Sequence, residues 1–286
     1  MRSRLTIKNT HFTLHEILGR LQDGISRLES WGIHPPPGSR LPIYLDRLRA
    51  AFDAPDNVVS PELGTQLQFH FRDVDDFVDI LESFSSPPQG TELRRLRTAL
   101  GDDEHPDRGS STKARDAQYE LKLRAVFQQA GMDVEMVEPD LVLHAGDLRI
   151  PVAAKRIQSA KGFEDRLRSG LRQLQRHPDE GIVAICLDQA IRPRNKWLQV
   201  PNKNRLAPRV EEEMKAFLSP RIRLVRTRMA SKHTAGVLLS LSLPSHSLEE
   251  GYMGSGHNWQ FLPGKPLSDG LSPAAAEVWK AVQAFP

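Results

Sequence analysis

A chain of 286 residues, 39% apolar and 26% charged, can bury one large core or two modest ones. The single cysteine, Cys186, excludes an internal disulfide and a cysteine-based zinc site. No apolar run approaches the ~20 residues of a membrane helix, and the basic opening MRSRLTIKNT lacks the apolar stretch of a signal peptide, so a cytoplasmic protein with no membrane contact is expected.

The net charge of +3 conceals an asymmetry. Residues 1–110 carry 13 Lys and Arg against 17 Asp and Glu, whereas residues 149–232 carry 20 against 8. The second half is therefore expected to face a polyanion.

From the N-terminus, an extended start leads to Thr13, which stands three residues before Glu16 at capping-box spacing. Leu14, Ile17, Leu18, Leu21, Ile25 and Leu28 then recur with helical period. Trp31-Gly32 and the prolines at 35–37 end that helix. A second helix is predicted from about Ile43 to Phe52. Gln66–Arg72 fits either a short strand or the lead-in to a helix. Asp73 reads as an N-cap for a helix burying Val74, Phe77, Val78, Leu81 and Phe84, and a short helix with Leu93, Leu96 and Leu100 follows, opposite Arg94, Arg95 and Arg97.

These elements predict a helical N-terminal domain over 1–100, suited to a protein partner or to self-association. GDDEHPDRGSSTK, residues 101–113, has no apolar residue and reads as a linker. His105 among its acids reads as part of a hydrophilic linker rather than a metal site. A second domain then spans 114–286.

That domain opens with a helix from about Arg115 to Ala130, capped by Gly131. Glu120 falls one position before the inward Leu121. Strands are predicted at Asp133–Glu138, Pro139–His144 and Leu148–Ile157. In the last, Ile150, Val152 and Ala154 face one way and Pro151, Ala153 and Lys155 the other. A helix over about Gly162–Arg176 and the wholly apolar strand Ile182–Leu187 follow. Ile191–Pro208 mixes Arg192, Arg194 and Lys196 with Trp197, the composition of a nucleic-acid-contacting loop and equally of a loop pinned by a buried Trp. Val210–Phe217 reads as helix, Ile222–Arg228 and Gly236–Leu243 as strands, and Gly251–Gly270 as a Gly-rich loop. Ser272 caps a last helix with Pro273 in its first turn.

The order helix, strand, strand, strand, helix, strand, with Pro139-Asp140 and Lys155 at these positions, resembles the PD-(D/E)xK nuclease superfamily over about 75 residues. The resemblance implies an α+β protein whose second domain is restriction-endonuclease-like, with a mixed sheet flanked by helices. It implies Mg²⁺-dependent (or Mn²⁺-dependent) cleavage of phosphodiester bonds in DNA, or RNA, in settings such as restriction or antiviral defence. Asp140 and Glu120 would hold the metal, Lys155 would act on the attacking water, and Gln173 matches a polar residue of the following helix. Arg156, Lys161, Arg192, Arg194, Lys196 and Trp197 would contact the nucleic acid.

One position departs from the pattern. The motif's second acid, two residues before the lysine, is Ala153. Three explanations stand: a Glu changed to Ala, a carboxylate supplied from elsewhere (Glu138, Glu164 or Asp165), or a nuclease fold that binds without cutting. The ten histidines show no metal-ligand spacing, and no phosphate-binding Gly loop, nucleophile elbow or CxxC pair is present.

Overall fold

The computed structural model describes residues 5–12, 14–53, 61–101, 112–191, 198–229, 233–249, 253–265 and 270–285. Thr13, His105 with most of the expected linker, and Arg192, Arg194, Lys196 and Trp197 lie outside them.

The chain runs β1 (Leu5–Phe12), α1 (Leu14–Ser30), α2 (Arg40–Phe52), α3 (Pro61–Glu82), α4 (Gly90–Leu100), α5 (Lys113–Gln129), β2 (Asp133–Glu135), β3 (Leu141–Ala145), β4 (Leu148–Arg156), α6 (Phe163–Leu174), β5 (Gly181–Cys186), α7 (Asp188–Ile191), β6 (Leu198–Val200), α8 (Leu206–Leu218), α9 (Ile222–Arg228), β7 (Thr234–Ser247), β8 (Met253–Pro263) and α10 (Pro273–Gln283). The run α5, β2, β3, β4, α6, β5 follows the expected order of elements. The eight-stranded sheet has the order β1-β8-β7-β5-β4-β3-β2. Strands β4, β5 and β7 are parallel, and antiparallel pairs extend the sheet at both ends. β6 pairs with the last residues of β7, beyond the end of β5.

Helices cover both faces, so the central strands must be apolar throughout. On β5, Ile182, Ala184 and Cys186 join one core cluster, while Val183 and Ile185, with Leu187 just after the strand, join the other. The alternation of β4 sends Ile150 and Val152 to the first cluster and Ala153 to the second. The first cluster takes in α1–α5 and α10, the second α6, α8 and α9. α1–α4 therefore share a continuous core with α5 and the sheet, and β1 adds an edge strand to β8.

Four local expectations are corrected. Asp73 lies in the middle of α3 rather than capping it, and Gln66–Arg72, which by sequence fits either strand or helix, belongs to the same helix. Ile222–Arg228 is a helix, not a strand. Gly251–Gly270 contains the long strand β8. Glu135 ends β2, and Asp140 directly precedes β3 rather than lying within a strand.

α5 is the central helix, buried on nearly every side between α3, α4 and the sheet. Its polar side chains therefore need partners. Arg115 and Lys122 pair with Asp73 and Asp76 of α3, and Arg124 pairs with Glu92 of α4. Gln118 accepts from Arg40 of α2 at 2.7 Å. The helix ends at Gly131, whose φ of +82° suits a residue without Cβ.

Candidate active site

The turn before β3 presents Asp140. Since Leu141 pairs with Val152, the register carried back one residue sets Asp140 opposite Ala153. Asp140, Ala153 and Lys155 thus share the face of the sheet covered by α6. Asp140 Oδ2 accepts from the backbone N–H of Ala154 at 2.8 Å and from Lys155 Nζ at 3.2 Å. Lys155 Nζ also donates to the Ala154 carbonyl at 2.8 Å. Both side chains are largely enclosed, at 12% and 13% exposure. Burial raises the Asp140 carboxyl above its ordinary value, and the Lys155 ammonium opposes that shift.

Glu120 reaches the same end of the sheet from α5. Its carboxyl is pushed up to about 7, by burial first and then by the Asp140 carboxylate. Arg95 Nε of α4 lies 2.8 Å from Glu120 Oε2, an ion pair off the hydrogen-bond direction, because that buried oxygen has no aligned donor. Arg95 is a contact that sequence reading missed, since the outward stripe of α4 gives no sign of a carboxylate 25 positions further along the chain. Gln173 of α6 donates from Nε2 to the Pro139 carbonyl at 2.8 Å and so holds the turn that carries Asp140.

The sign of the Glu120 shift makes a stability prediction. The folded state prefers this carboxyl protonated, so the preference favours folding below the ordinary value of 4.5 and is lost as pH rises through about 7. Glu120→Gln should therefore gain stability over the unsubstituted chain as pH rises, from near zero at pH ~4 to about 3 kcal/mol at pH ~8. Paired thermal melts across that range, without metal, measure the gap. A gap that stays constant with pH would mean that Glu120 titrates normally.

The remaining expected residues fall as follows. Arg156 points to the opposite face from Lys155, toward α5, where Nη1 lies 3.5 Å from Asp116 Oδ1. Lys161 is exposed in the turn between β4 and α6. Ala153 is fully buried in the apolar cluster that includes Leu167, Leu171 and Val183. None of the alternative acids replaces it. Glu138 is exposed, Glu164 is bound by Arg228 at 2.7 Å and Arg168 at 3.1 Å, and Asp165 is exposed beside Arg168.

Among the described residues, no three His, Cys, Asp or Glu side chains are grouped to hold a metal ion. Two carboxylates are nonetheless a suitable seat for Mg²⁺ or Mn²⁺, which binds oxygen and keeps several of its waters. The pair fits a divalent cation for a second reason. Beside burial, which is the larger cause, the nearby Asp140 carboxylate helps raise the Glu120 carboxyl, a repulsion that such a cation would relieve, and among the described residues Oε2 lacks an aligned donor.

The helices on the α6 face of the sheet carry exposed basic side chains. Arg166, Arg168 and Arg172 of α6, and Arg223, Arg226 and Arg228 of α9, are exposed, and Glu164 of α6 ties the two helices together through Arg228. No helix among the described residues is long and apolar enough to cross a membrane. No protein-family model and no curated protein matches this chain.

Proposed function

We propose that the chain is a metal-dependent nuclease of the PD-(D/E)xK type acting on DNA, with the site Glu120–Asp140–Lys155 at the end of β4. The observation that carries this reading is the convergence of those three side chains, with Gln173 holding the Pro139-Asp140 turn. A divalent cation at Asp140 and Glu120 would supply positive charge against the phosphate and lower the pKa of water. Lys155, held by Asp140 and the Ala154 carbonyl, is placed to orient an attacking water. The arginines of α6 and α9 would hold the backbone phosphates on the same face.

A second reading, a nuclease-fold subunit that binds DNA without cutting, is favoured by one specific feature: Ala153 offers a methyl group where the motif has a carboxylate, and among the described residues no nearby acid substitutes.

The two readings separate on supercoiled plasmid. The nuclease reading expects slow Mg²⁺-dependent nicking that disappears in Asp140→Ala by about 100-fold or more, as for loss of a metal ligand. Salt-sensitive binding with no nicking, unaltered by Asp140→Ala, supports the binding subunit. Absence of any salt-dependent DNA binding overturns both.

A further inference from the structure

On the face of the sheet opposite Lys155, a polar cavity of about 30 Å³ lies between α3, α5, β7 and β8. Most of its lining is buried, and the partly exposed lining side chains are Lys122, Arg156 and Asp188. Its mouth is therefore at the carboxyl ends of the parallel strands β4 and β5, where ligands of open α/β sheets commonly bind. The volume is two to three times the ~10–15 Å³ that one water needs, which suits a compact group of a few heavy atoms rather than a sugar or a base.

The walls offer hydrogen-bond donors that the fold leaves available. Ser240 Oγ donates to Tyr119 Oη at 3.1 Å, so the phenolic proton of Tyr119 is free to point elsewhere. Ser242 Oγ is buried, its residue 2% exposed, and has no hydrogen-bond partner among the described residues, an arrangement that costs stability unless something occupies the cavity. Among the described residues, the Arg156 guanidinium is engaged only by the 3.5 Å approach to Asp116.

The carboxylates around the cavity are already committed. Asp76 is bound by Lys122, and Asp73 by Arg40, Arg72, Arg115 and Tyr44. Asp188 Oδ1 accepts from the Ser242 N–H at 2.8 Å, and its Oδ2 faces Arg72 at 3.7 Å. Cations thus outnumber carboxylates in the lining, four side chains (Arg72, Arg115, Lys122, Arg156) to three.

We infer that this cavity binds a phosphate group, with Arg156 at its mouth and the hydroxyls of Tyr119 and Ser242 within. The group is either inorganic phosphate or the terminal phosphate of a nucleic-acid strand. The inference does not rest on cleavage, and its failure would leave the nuclease reading untouched.

The test is titration of the full chain with inorganic phosphate, followed by calorimetry and by thermal melts, at constant ionic strength. The expected result is saturable one-to-one binding and a raised melting temperature, with sulfate competing and chloride not. Tyr119→Phe and Ser242→Ala each remove one hydroxyl and should weaken binding about 5- to 10-fold, as expected for a lost hydrogen bond. Arg156→Gln should weaken it by about 30-fold or more, as for a charge-assisted contact. A second arm compares oligonucleotides with and without a 5′-phosphate. Tighter binding of the phosphorylated strand, lost in Arg156→Gln, assigns the pocket to strand ends, while equal binding beside retained phosphate affinity assigns it to the free ion. No saturable phosphate binding up to about 10 mM, or binding indifferent to all three substitutions in variants that melt cooperatively, overturns the inference.

Discussion

Ala153→Glu should raise Mg²⁺-dependent nicking of supercoiled DNA by about 100-fold or more over the unsubstituted chain. The expectation follows from register. Position 153 lies two residues before Lys155 on the same strand face and opposite Asp140, so a carboxylate there would project into the space that Asp140 and Lys155 already border. It would also make a third acid beside Asp140 and Glu120, where the described residues supply two. Charge, not bulk, should produce the gain, so Ala153→Gln should remain at the level of the unsubstituted chain. Within the Glu variant, Lys155→Ala should return nicking to background, because the lysine is the group placed to orient the water. The substitution will cost stability, since Ala153 is fully buried among Leu167, Leu171 and Val183, and enlarging a packed site costs about 1–3 kcal/mol. Melts run beside the nicking assay separate a folded, inactive variant from an unfolded one. A cooperatively folded Ala153→Glu protein with no metal-dependent nicking would rule out this site as a nuclease centre that lacks one acid.

Much of this site could be read from the sequence because its geometry is local. The alternation of β4 places Lys155 and Ala153 on one face, and a hairpin-sized gap brings Asp140 beside them. Glu120 and Gln173 sit on the helices flanking the three strands, so a single stretch of chain holds all five. Arg95 escaped notice because it comes from α4, and the exposed stripe around it gives no local reason to expect a buried partner.

The misread segments failed for physical reasons of the same kind. Arg221, Ile222, Arg223 and Leu224 alternate as a strand would, but seven residues are too few to separate a period of two from one of 3.6. α9 buries Val225 fully, and Thr227 Oγ1 donates to the Arg223 carbonyl at 3.0 Å, a helical i to i−4 contact. The glycines near 254–256 suggested a loop. Gly256 instead lets α8 lie directly on β8, because a Cβ there would meet Val210 Cγ2 at 2.7 Å and Leu206 Cδ1 at 3.1 Å. β1 pairs with a strand some 250 residues away, and no local pattern encodes that distance. Asp73 is the most consequential of these. An aspartate before an apolar helical stripe is what an N-cap looks like, whereas its partners Arg40 and Arg115 lie 33 and 42 residues away.

Replacing Asp73 should therefore have the largest effect on stability of any single change to the N-terminal helices. Its Oδ2 accepts from Tyr44 Oη at 2.9 Å and Arg40 Nη1 at 3.3 Å and also binds Arg115, while Arg72 Nη2 reaches Oδ1 at 3.2 Å. Asp73, Arg40, Arg72, Arg115 and Tyr44 are all buried, so one carboxylate neutralises guanidiniums from α2, α3 and α5. Removing one partner of a buried ionic group costs about 3–5 kcal/mol, against a total stability of ~5–15 kcal/mol. Asp73→Asn keeps the shape and loses the charge, and should lower the melting temperature by about 10 °C at pH 7. The pH dependence tests the cause. The three arginines hold the Asp73 carboxyl well below the usual carboxylate range despite the burial that opposes them. A depressed pKa contributes stability that is present above the unfolded value of ~3.9 and is lost as pH falls below it toward the folded value. The deficit of Asp73→Asn should thus be constant from pH ~5 to ~7 and shrink below pH ~4. A variant melting within ~2 °C of the unsubstituted chain at pH 7 would show that the arginines are satisfied without this carboxylate. A deficit undiminished in acid would trace the loss to shape rather than charge.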